Sequence, residues 1–480
     1  MAENYSSFLS FLQRYWAVLD LVMIVTGLVI YIVASHSLHQ RRHPSAAMAW
    51  VLGMIIFPYL TLPLYLAFGS RKLPVSRQAG EVPLPCPPLS SSVWHTTAAR
   101  SQQLAIAMGL PEAALYENLT IHQDGTQALE ALRRVIDSAR QTLDVSTFIL
   151  GRDVLGDGVS ERLQKCARDG VKVRLLIDGI GFYMGGYPDL KRLTDAGVEV
   201  VRFVPPFRSP KRGRTNLRNH RKMVIADGQN FWCGGRNLAA EYFEGDPRPL
   251  LRLHKGVWID LSFDLSGPLV EDAQQQFEQD WAFTTENSTQ KMACSTVTIT
   301  DCRSLAQLVT SGPDIQDDTI FTLLVSGCFT SQRRILAVTP YFLPNAALLT
   351  ALCLAARRGI AVELVLPEKS NHRLVDYARH RGLRDLVAAG GKVWRYPGMI
   401  HAKAIVIDDE LALVGSANLD GRSLFLNYEM MVAFYDEQAV RGFAQWIDAR
   451  RNESLPYHAV APSIFRELSE GLILWLAFQL

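Results

Sequence analysis

Two histidines in this 480-residue chain head the same pattern: His220-x-Lys222-x4-Asp227-x6-Gly234-Gly235-x-Asn237 and His401-x-Lys403-x4-Asp408-x6-Gly415-Ser416-x-Asn418. A neutral imidazole can attack an electrophile or carry a proton, while lysine and asparagine donate to oxyanions. Displacement at a phosphodiester loads negative charge onto the equatorial oxygens. Such a site needs fixed positive donors, a nucleophile and an acid for the departing alkoxide. Two His-Lys-Asn sets supply all three. A lone histidine beside a lysine is ordinarily structural, but two copies with the same glycine and asparagine offsets argue for one duplicated half-site.

The local sequence indicates how each half is positioned. His220-Arg-Lys222-Met-Val-Ile-Ala and His401-Ala-Lys403-Ala-Ile-Val-Ile read as strands, and a period of two puts His and Lys on one face. Asp227-Gly228 and Asp408-Asp409-Glu410 read as hairpin turns, after which Phe231-Trp232-Cys233 and Leu411 to Val414 return with the glycines and asparagine. The repeat runs further. Asp144–Leu150 pairs with Ala337–Leu343, Ala167–Val173 with Ala356–Val362, and Ala196–Val200 with Ala389–Val393. Strands alternating with helical stretches predict an α/β sandwich present twice, with both motifs meeting at a pseudo-twofold axis.

The doubled motif resembles the phospholipase D superfamily. Two apolar segments ahead of it, Ser311-Gly312-Pro313 and Thr339-Pro340-Tyr341-Phe342-Leu343-Pro344 narrow the resemblance to the bacterial cardiolipin synthases, over nearly the whole length. The resemblance implies two fused phospholipase D-like domains, residues 99–285 and 286–480, behind a transmembrane hairpin at 1–72 and a Pro-rich linker at 73–98. It also implies phosphatidyl transfer from one phosphatidylglycerol to another through a phosphohistidine, with glycerol released. In that scheme His220 is the nucleophile and His401 the general acid, then base. Lys222, Lys403, Asn237 and Asn418 hold phosphoryl oxygens, with the Ser416 hydroxyl as an added donor. A nucleophilic imidazole also needs a carboxylate on its far nitrogen. Glu429 stands where the family places one for the second half, and Asp260 is the candidate for the first. Asp227 and Asp408 complete the motifs, although their turn positions suggest structural work.

Composition agrees with a membrane-associated globular enzyme: 48% hydrophobic residues and 49 Lys and Arg against 47 Asp and Glu, a net charge of +2. A nucleic-acid-scale basic excess is absent, so a tethered nuclease is disfavoured. A phospholipase D using water, or a transferase using another alcohol, stays open. A non-catalytic lipid-binding module would tolerate a degraded motif, and neither copy is degraded. The seven cysteines lack the pairing of a zinc site or disulfide framework, and no metal or other cofactor is expected.

Trp16 to Ser35 and Ala46 to Phe68 are apolar stretches near the ~20 residues that span a hydrocarbon core as helix. A cleaved signal peptide fits poorly, since no basic region leads the first stretch and a second follows at once. The expected helices are about 16–35 and 46–68, the second kinked by Pro58 and Pro63; Asp20 lies near enough to one end to reach the interface. Arg14, Arg71, Lys72 and Arg77 outnumber Arg41 and Arg42 of the connecting loop, which puts the catalytic region on the cytoplasmic side of a bacterial inner membrane. Arg208, Lys211, Arg212, Arg214 and Arg218 form a basic run that the second half lacks. Leu472 to Phe478 is too short to span and reads as core packing or a surface anchor.

Overall fold

The structure is a computed structural model that describes residues 2–37, 44–69, 72, 96–205, 216–245, 256–285, 304–315 and 317–477. Outside them lie most of the Pro-rich linker, Arg41 and Arg42, Arg71, Arg77, and the basic run from Arg208 to Arg214, as do three of the seven cysteines. Cys166, Cys233, Cys328 and Cys353 are free thiols.

The chain divides into two compact units, the smaller made of residues 1–78, 204–217 and 313–316. Its first helix, Ala2–Ser37, contains Tyr15–Ser35, among the described residues the one segment long and apolar enough to cross a membrane. The second apolar stretch was expected to be a single kinked helix. It is instead two short helices, Pro44–Ile56 and Pro58–Phe68, broken at Phe57. Pro58 explains the break: proline lacks the N–H that would continue the ladder and biases the residue before it away from α geometry. The second helix restarts with Thr61 N donating to Phe57 O at 2.9 Å, while Thr61 Oγ1 donates to the Gly53 carbonyl at 2.8 Å. Tyr65 packs between Tyr31 and Trp50, and the Tyr59 hydroxyl donates to Asp20 at 2.7 Å, so that carboxylate is partnered rather than bare.

The larger unit holds two mixed sheets. The first has seven strands in the order Glu117–Ile121, Ser262–Ser266, Asn230–Gly234, Met223–Ala226, Thr142–Thr147, Lys172–Asp178, Glu199–Phe203. The second has nine, and its inner seven repeat that order and those strand directions: Leu305–Ser311, Glu429–Phe434, Leu411–Gly415, Ala404–Ile407, Arg334–Val338, Ala361–Pro367, Lys392–Tyr396. In each sheet the three strands joined through helices run parallel and the hairpin strands antiparallel, as expected from crossover and hairpin connections. Val, Ile and Leu fill both faces of the central strands, because helices cover them.

Two expectations about boundaries need correction. Residues 99–115 were assigned to the first domain, yet strand Ala114–Leu115 pairs with Leu305 and Ala306 at the edge of the second sheet. Helix Thr97–Ala107 joins the second core through Ala105, the following turn joins it through Leu110, and Thr97 bonds Glu410 and Asp408. Sequence order does not reveal which sheet edge a short strand will complete. The pairing of Asp144–Leu150 with Ala337–Leu343 is also one residue out. Leu150 bridges Leu238 and Phe342 pairs with Leu419, each partner being the residue after the motif asparagine, so Ile149 corresponds to Tyr341 and Phe148 to Pro340.

Asp227 and Asp408 brace this scaffold. Asp227 accepts from the backbone N–H of Arg140, Gln141 and Thr142 at 2.7–2.8 Å. Asp408 does the same for Gln332, Arg333 and Arg334 at 2.7–3.0 Å. Each aspartate adopts a left-handed turn, φ 54° and 56°, and ties the hairpin to the start of the neighbouring central strand. Burial pushes the Asp227 carboxyl up, but the three amides outweigh it and hold it below the usual range. Asp408→Ala strands three amides and is expected to cost about 2 kcal/mol or more, measured by denaturant unfolding, with turnover of the folded enzyme within a few-fold of wild type.

Candidate active site

The two histidines lie just before the hairpin strands, at the end of the sheet opposite those aspartates. Each is fixed by a short parallel bridge to the other half. Asn219 bridges Tyr428, so that His220 N donates to Tyr428 O at 2.9 Å; Ile400 bridges Ile259, so that His401 N donates to Ile259 O. The residue following each bridge partner is a buried carboxylate, Glu429 or Asp260. The carboxylates were expected one per half. Their pairing is crossed: His220 Nδ1 lies 3.3 Å from Glu429 Oε1, and His401 Nδ1 lies 2.7 Å from Asp260 Oδ2. Each half therefore contributes the imidazole of one pair and the carboxylate of the other.

The glycines permit this approach. A Cβ at Gly234 would sit 2.4 Å from the Leu261 carbonyl, and one at Gly415 would sit 2.2 Å from that of Met430, so only glycine lets the return strand reach the strand carrying the carboxylate. At the next position the halves differ. A Cβ at Gly235 would fall 2.3 Å from Asp260 Oδ1, whereas Ser416 fits and its hydroxyl donates to Glu429 Oε2 at 2.6 Å. The sequence suggested Ser416 as a phosphate donor. Its hydroxyl is instead committed to Glu429, and accepts from Met430 N at 3.0 Å.

Lys222 and Lys403 are buried in the same site. Lys222 Nζ donates to the His220 carbonyl at 2.6 Å, and Lys403 Nζ lies against the ring of His401 and donates to its carbonyl. Burial dominates their protonation. It brings Lys222 down to about 8 against the pull of Glu429 and Asp260, and Lys403 down to about 7 against Asp260 with Lys222 pushing the same way as burial. Burial and then Lys403 lower His401 to about 3, against Asp260, and burial lowers His220 against Glu429. Burial raises Asp260, but His401 and Lys403 outweigh it and hold the carboxyl at about 2. The site thus holds neutral imidazoles and ionised carboxylates, with each lysine sensing the carboxylates of both halves.

Asn237 and Asn418 are buried beside the two ribbons Leu150/Leu238 and Phe342/Leu419. Asn237 Oδ1 accepts from Ile149 N at 3.4 Å, while Asn418 Oδ1 has no hydrogen-bond partner among the described residues. Among the described residues no group of three His, Cys, Asp or Glu side chains is arranged to hold a metal ion.

Several residues here escaped the sequence reading. Phe148 packs on His220 at 4.3 Å between ring centroids, whereas His401 is boxed by Tyr242 at 5.1 Å, Trp258 at 5.6 Å and Tyr341 at 6.5 Å. Arg221, between the motif His and Lys, is fully buried: it pairs with Asp280 and donates to the Glu429 carbonyl at 3.1 Å and the Ser311 carbonyl at 3.0 Å. Asp178 accepts from Asn219 N at 2.9 Å, one residue before His220. Asp420 is close enough to feel both His220 and Glu429. One signal was available for the last, since Asn418-Leu-Asp420-Gly-Arg422 departs from Asn237-Leu-Ala239-Ala-Glu241 immediately after the repeated motif.

A family model described as cardiolipin synthase, PLD-like domain, matches residues 132–281 and 328–451, spanning both motifs. The chain belongs to this phospholipase D family. A second model, described as the phospholipase D-nuclease N-terminal region, matches residues 16–70. Among curated relatives of the family, cardiolipin synthase A of Pseudomonas putida (strain W619) is 32% identical over 431 residues, 87% of this chain and 88% of that protein. Cardiolipin synthase A of Pseudomonas aeruginosa PAO1 is 33% identical over 445 residues, 90% and 88% of the two chains. The crystal structure of a phosphatidylserine synthase from Haemophilus influenzae Rd KW20 superposes with a TM-score of 0.62 over 80% of this chain and all of that one. At 13% identity this likeness speaks to the fold alone.

Proposed function

We propose that this protein is a cardiolipin synthase that moves a phosphatidyl group from one phosphatidylglycerol to another at a single site built from both halves, related by a pseudo-twofold axis. The crossed arrangement carries the reading: each imidazole takes its carboxylate from the opposite half, so neither half is complete alone. The names of the relatives, matched over nearly their whole length, supply the substrate class.

His220 is the nucleophile. Its side chain is the more open of the two, 22% against 9% exposed, and Glu429 on Nδ1 leaves Nε2 as the attacking nitrogen. Attack breaks the bond between phosphorus and the glycerol oxygen and forms phosphatidyl–His220. His401, held by Asp260, delivers the proton to the departing glycerol. It then takes the proton from a hydroxyl of the second phosphatidylglycerol, whose oxygen displaces His220 and forms cardiolipin. Lys222 and Lys403 counter the charge on the phosphoryl oxygens, helped by Asn237 and Asn418. The anionic diester raises the proton affinity of every base around it, so the depressed lysine and histidine values recover on binding.

That coupling has a measurable sign. Burial lets Lys403 and Lys222 lose their protons near pH 7 and 8, and an anion needs the ammonium form. Affinity for glycerophosphoglycerol, a diester of constant charge in this range, is therefore expected to fall by about tenfold per pH unit between about 7 and 8 and by up to about a hundredfold per unit above that, by titration calorimetry, with proton uptake on binding. Flat affinity from pH 6 to 9.5 contradicts it. The two lysines occupy the role a divalent ion fills in other phosphoryl enzymes. Turnover is expected to survive EDTA; loss on chelation with recovery on adding a divalent ion refutes that.

At the membrane, we place both apolar stretches in the bilayer of a bacterial inner membrane with the catalytic unit on the cytoplasmic side, on the strength of the apolar length of Tyr15–Ser35 and the flanking cations. The deciding experiment incubates purified full-length protein with labelled phosphatidylglycerol. Cardiolipin with free glycerol supports the proposal. Phosphatidic acid alone indicates a hydrolase, and DNA cleavage without lipid turnover indicates a nuclease.

A further inference from the structure

We infer that Tyr341, Asn371 and His372 form a hydroxyl-reading subsite for the acceptor, recognising a vicinal diol and so directing the phosphatidyl group to a glycerol headgroup in preference to water. The inference rests on the proposed transfer reaction and adds the place where the alcohol is chosen.

Microscopic reversibility puts the leaving glycerol and the incoming hydroxyl on the same side of the phosphorus, the side served by His401. The walls around His401 are unlike those around His220. Three aromatic rings, Tyr242, Trp258 and Tyr341, surround it and remove apolar surface from water, which suits the C–H face of a polyol and excludes loose solvent. Of these, Tyr341 leads outward to polar groups. Its hydroxyl donates to Asn371 Oδ1 at 2.6 Å, and its ring meets the exposed His372 edge-on at 5.3 Å.

The chemistry left over in this trio fits a diol. Once Tyr341 has donated its proton, its oxygen remains an acceptor. Asn371 Nδ2 is a donor that makes no hydrogen bond among the described residues, and the His372 ring offers one donor and one acceptor. Adjacent hydroxyls place two donor–acceptor oxygens on neighbouring carbons, so a 1,2-diol can meet two members of the trio at once through linked oxygens, where a simple alcohol or a water brings a single oxygen. Asn418 Oδ1, buried and without a partner, gives an independent sign that a ligand donor is expected close by.

The trio is also held still. Thr339 Oγ1 donates to the Tyr341 carbonyl at 2.9 Å and accepts from Leu419 N at 3.3 Å, tying Tyr341 to the ribbon that carries Asn418. Ser370 Oγ accepts from His372 N at 3.0 Å, while Ser370 N is bound by Asp376 at 2.8 Å. His372 is exposed and touches Tyr341, whose ring in turn faces His401, so His372 sits at the outer end of this wall. The first half has no counterpart: the position matching Tyr341 is Ile149, so the diol subsite exists on one side only.

Partitioning of the phosphatidyl–enzyme tests this, because the product ratio depends only on steps after the covalent intermediate forms. Wild type, Tyr341→Phe and the double variant Asn371→Ala/His372→Ala are supplied with phosphatidylglycerol vesicles, first with labelled glycerol and then with ethanol as acceptor. Transfer to glycerol relative to hydrolysis is expected to fall at least tenfold in both variants, with the ethanol-to-water ratio within twofold of wild type. A glycerol ratio that does not move, or glycerol and ethanol ratios that fall together, overturns the subsite. Wild-type enzyme yielding only phosphatidic acid overturns the transfer reaction itself, a result recognisable before any variant is compared.

Discussion

His401→Ala is expected to lose turnover of phosphatidylglycerol by on the order of 10⁴ or more, yet to accumulate phosphatidyl–His220 when given a donor whose leaving group departs without a proton. Phosphatidyl-p-nitrophenol is such a donor. With it the first step needs only the nucleophile, and the intermediate then persists because no base activates the acceptor. His220→Ala removes the attacking nitrogen and should acquire no label from either donor, with a similar or larger loss of turnover. Mass spectrometry of the denatured protein after a single turnover reads the outcome. Label in the His220 variant and none in the His401 variant would exchange the two roles, because each imidazole has its own buried carboxylate and lysine beside it.

The second large effect follows from the crossed carboxylates. Asp260→Asn is expected to slow phosphatidylglycerol turnover by on the order of 10³ to 10⁴, since an amide neither holds the neutral tautomer nor supports the imidazolium. The direction in pH can be worked out. Burial and Lys403 depress His401, and Asp260 is what opposes them, at 2.7 Å. Removing the carboxylate lowers the histidine further, so less of the acid form remains at any pH and the limb of the rate profile that reports it moves to lower pH. The variant should keep rapid p-nitrophenol release in the first turnover, because Asp260 serves the proton donor. Glu429→Gln should lose that burst, because Glu429 serves the nucleophile, 3.3 Å away on the other half. Had each carboxylate served the histidine of its own half, the two results would be exchanged. Equal effects of both substitutions on the burst would contradict the crossed assignment.

Much of the site was legible in the chain because strand geometry is local. A period of two sets His220 and Lys222 on one face whatever surrounds them, and a glycine that must let a neighbouring strand pass leaves its mark in the motif at Gly234 and Gly415. Duplication then made the pattern unmistakable. What escaped were contacts made by residues of no special type. Phe148, Trp258 and Tyr242 read as ordinary core aromatics, and Arg221 as a charge between two motif residues. Asp420 alone carried a signal, as a departure from the repeat.

From sequence alone came the two half-sites, their strand and hairpin context, the α/β architecture and the apolar amino-terminal segments, all consequences of residue type and short-range spacing. Tertiary structure decided which carboxylate meets which imidazole, because that depends on how strand ends from distant parts of the chain bridge, Asn219 to Tyr428 and Ile259 to Ile400. It paired strand Ala114–Leu115 with the second sheet, and it broke the second apolar stretch at Phe57. It also turned the Ser416 hydroxyl toward Glu429 and away from phosphate duty. Hydrogen bonds and electrostatic coupling act across space with no memory of sequence separation, so these choices leave no periodic trace in the chain.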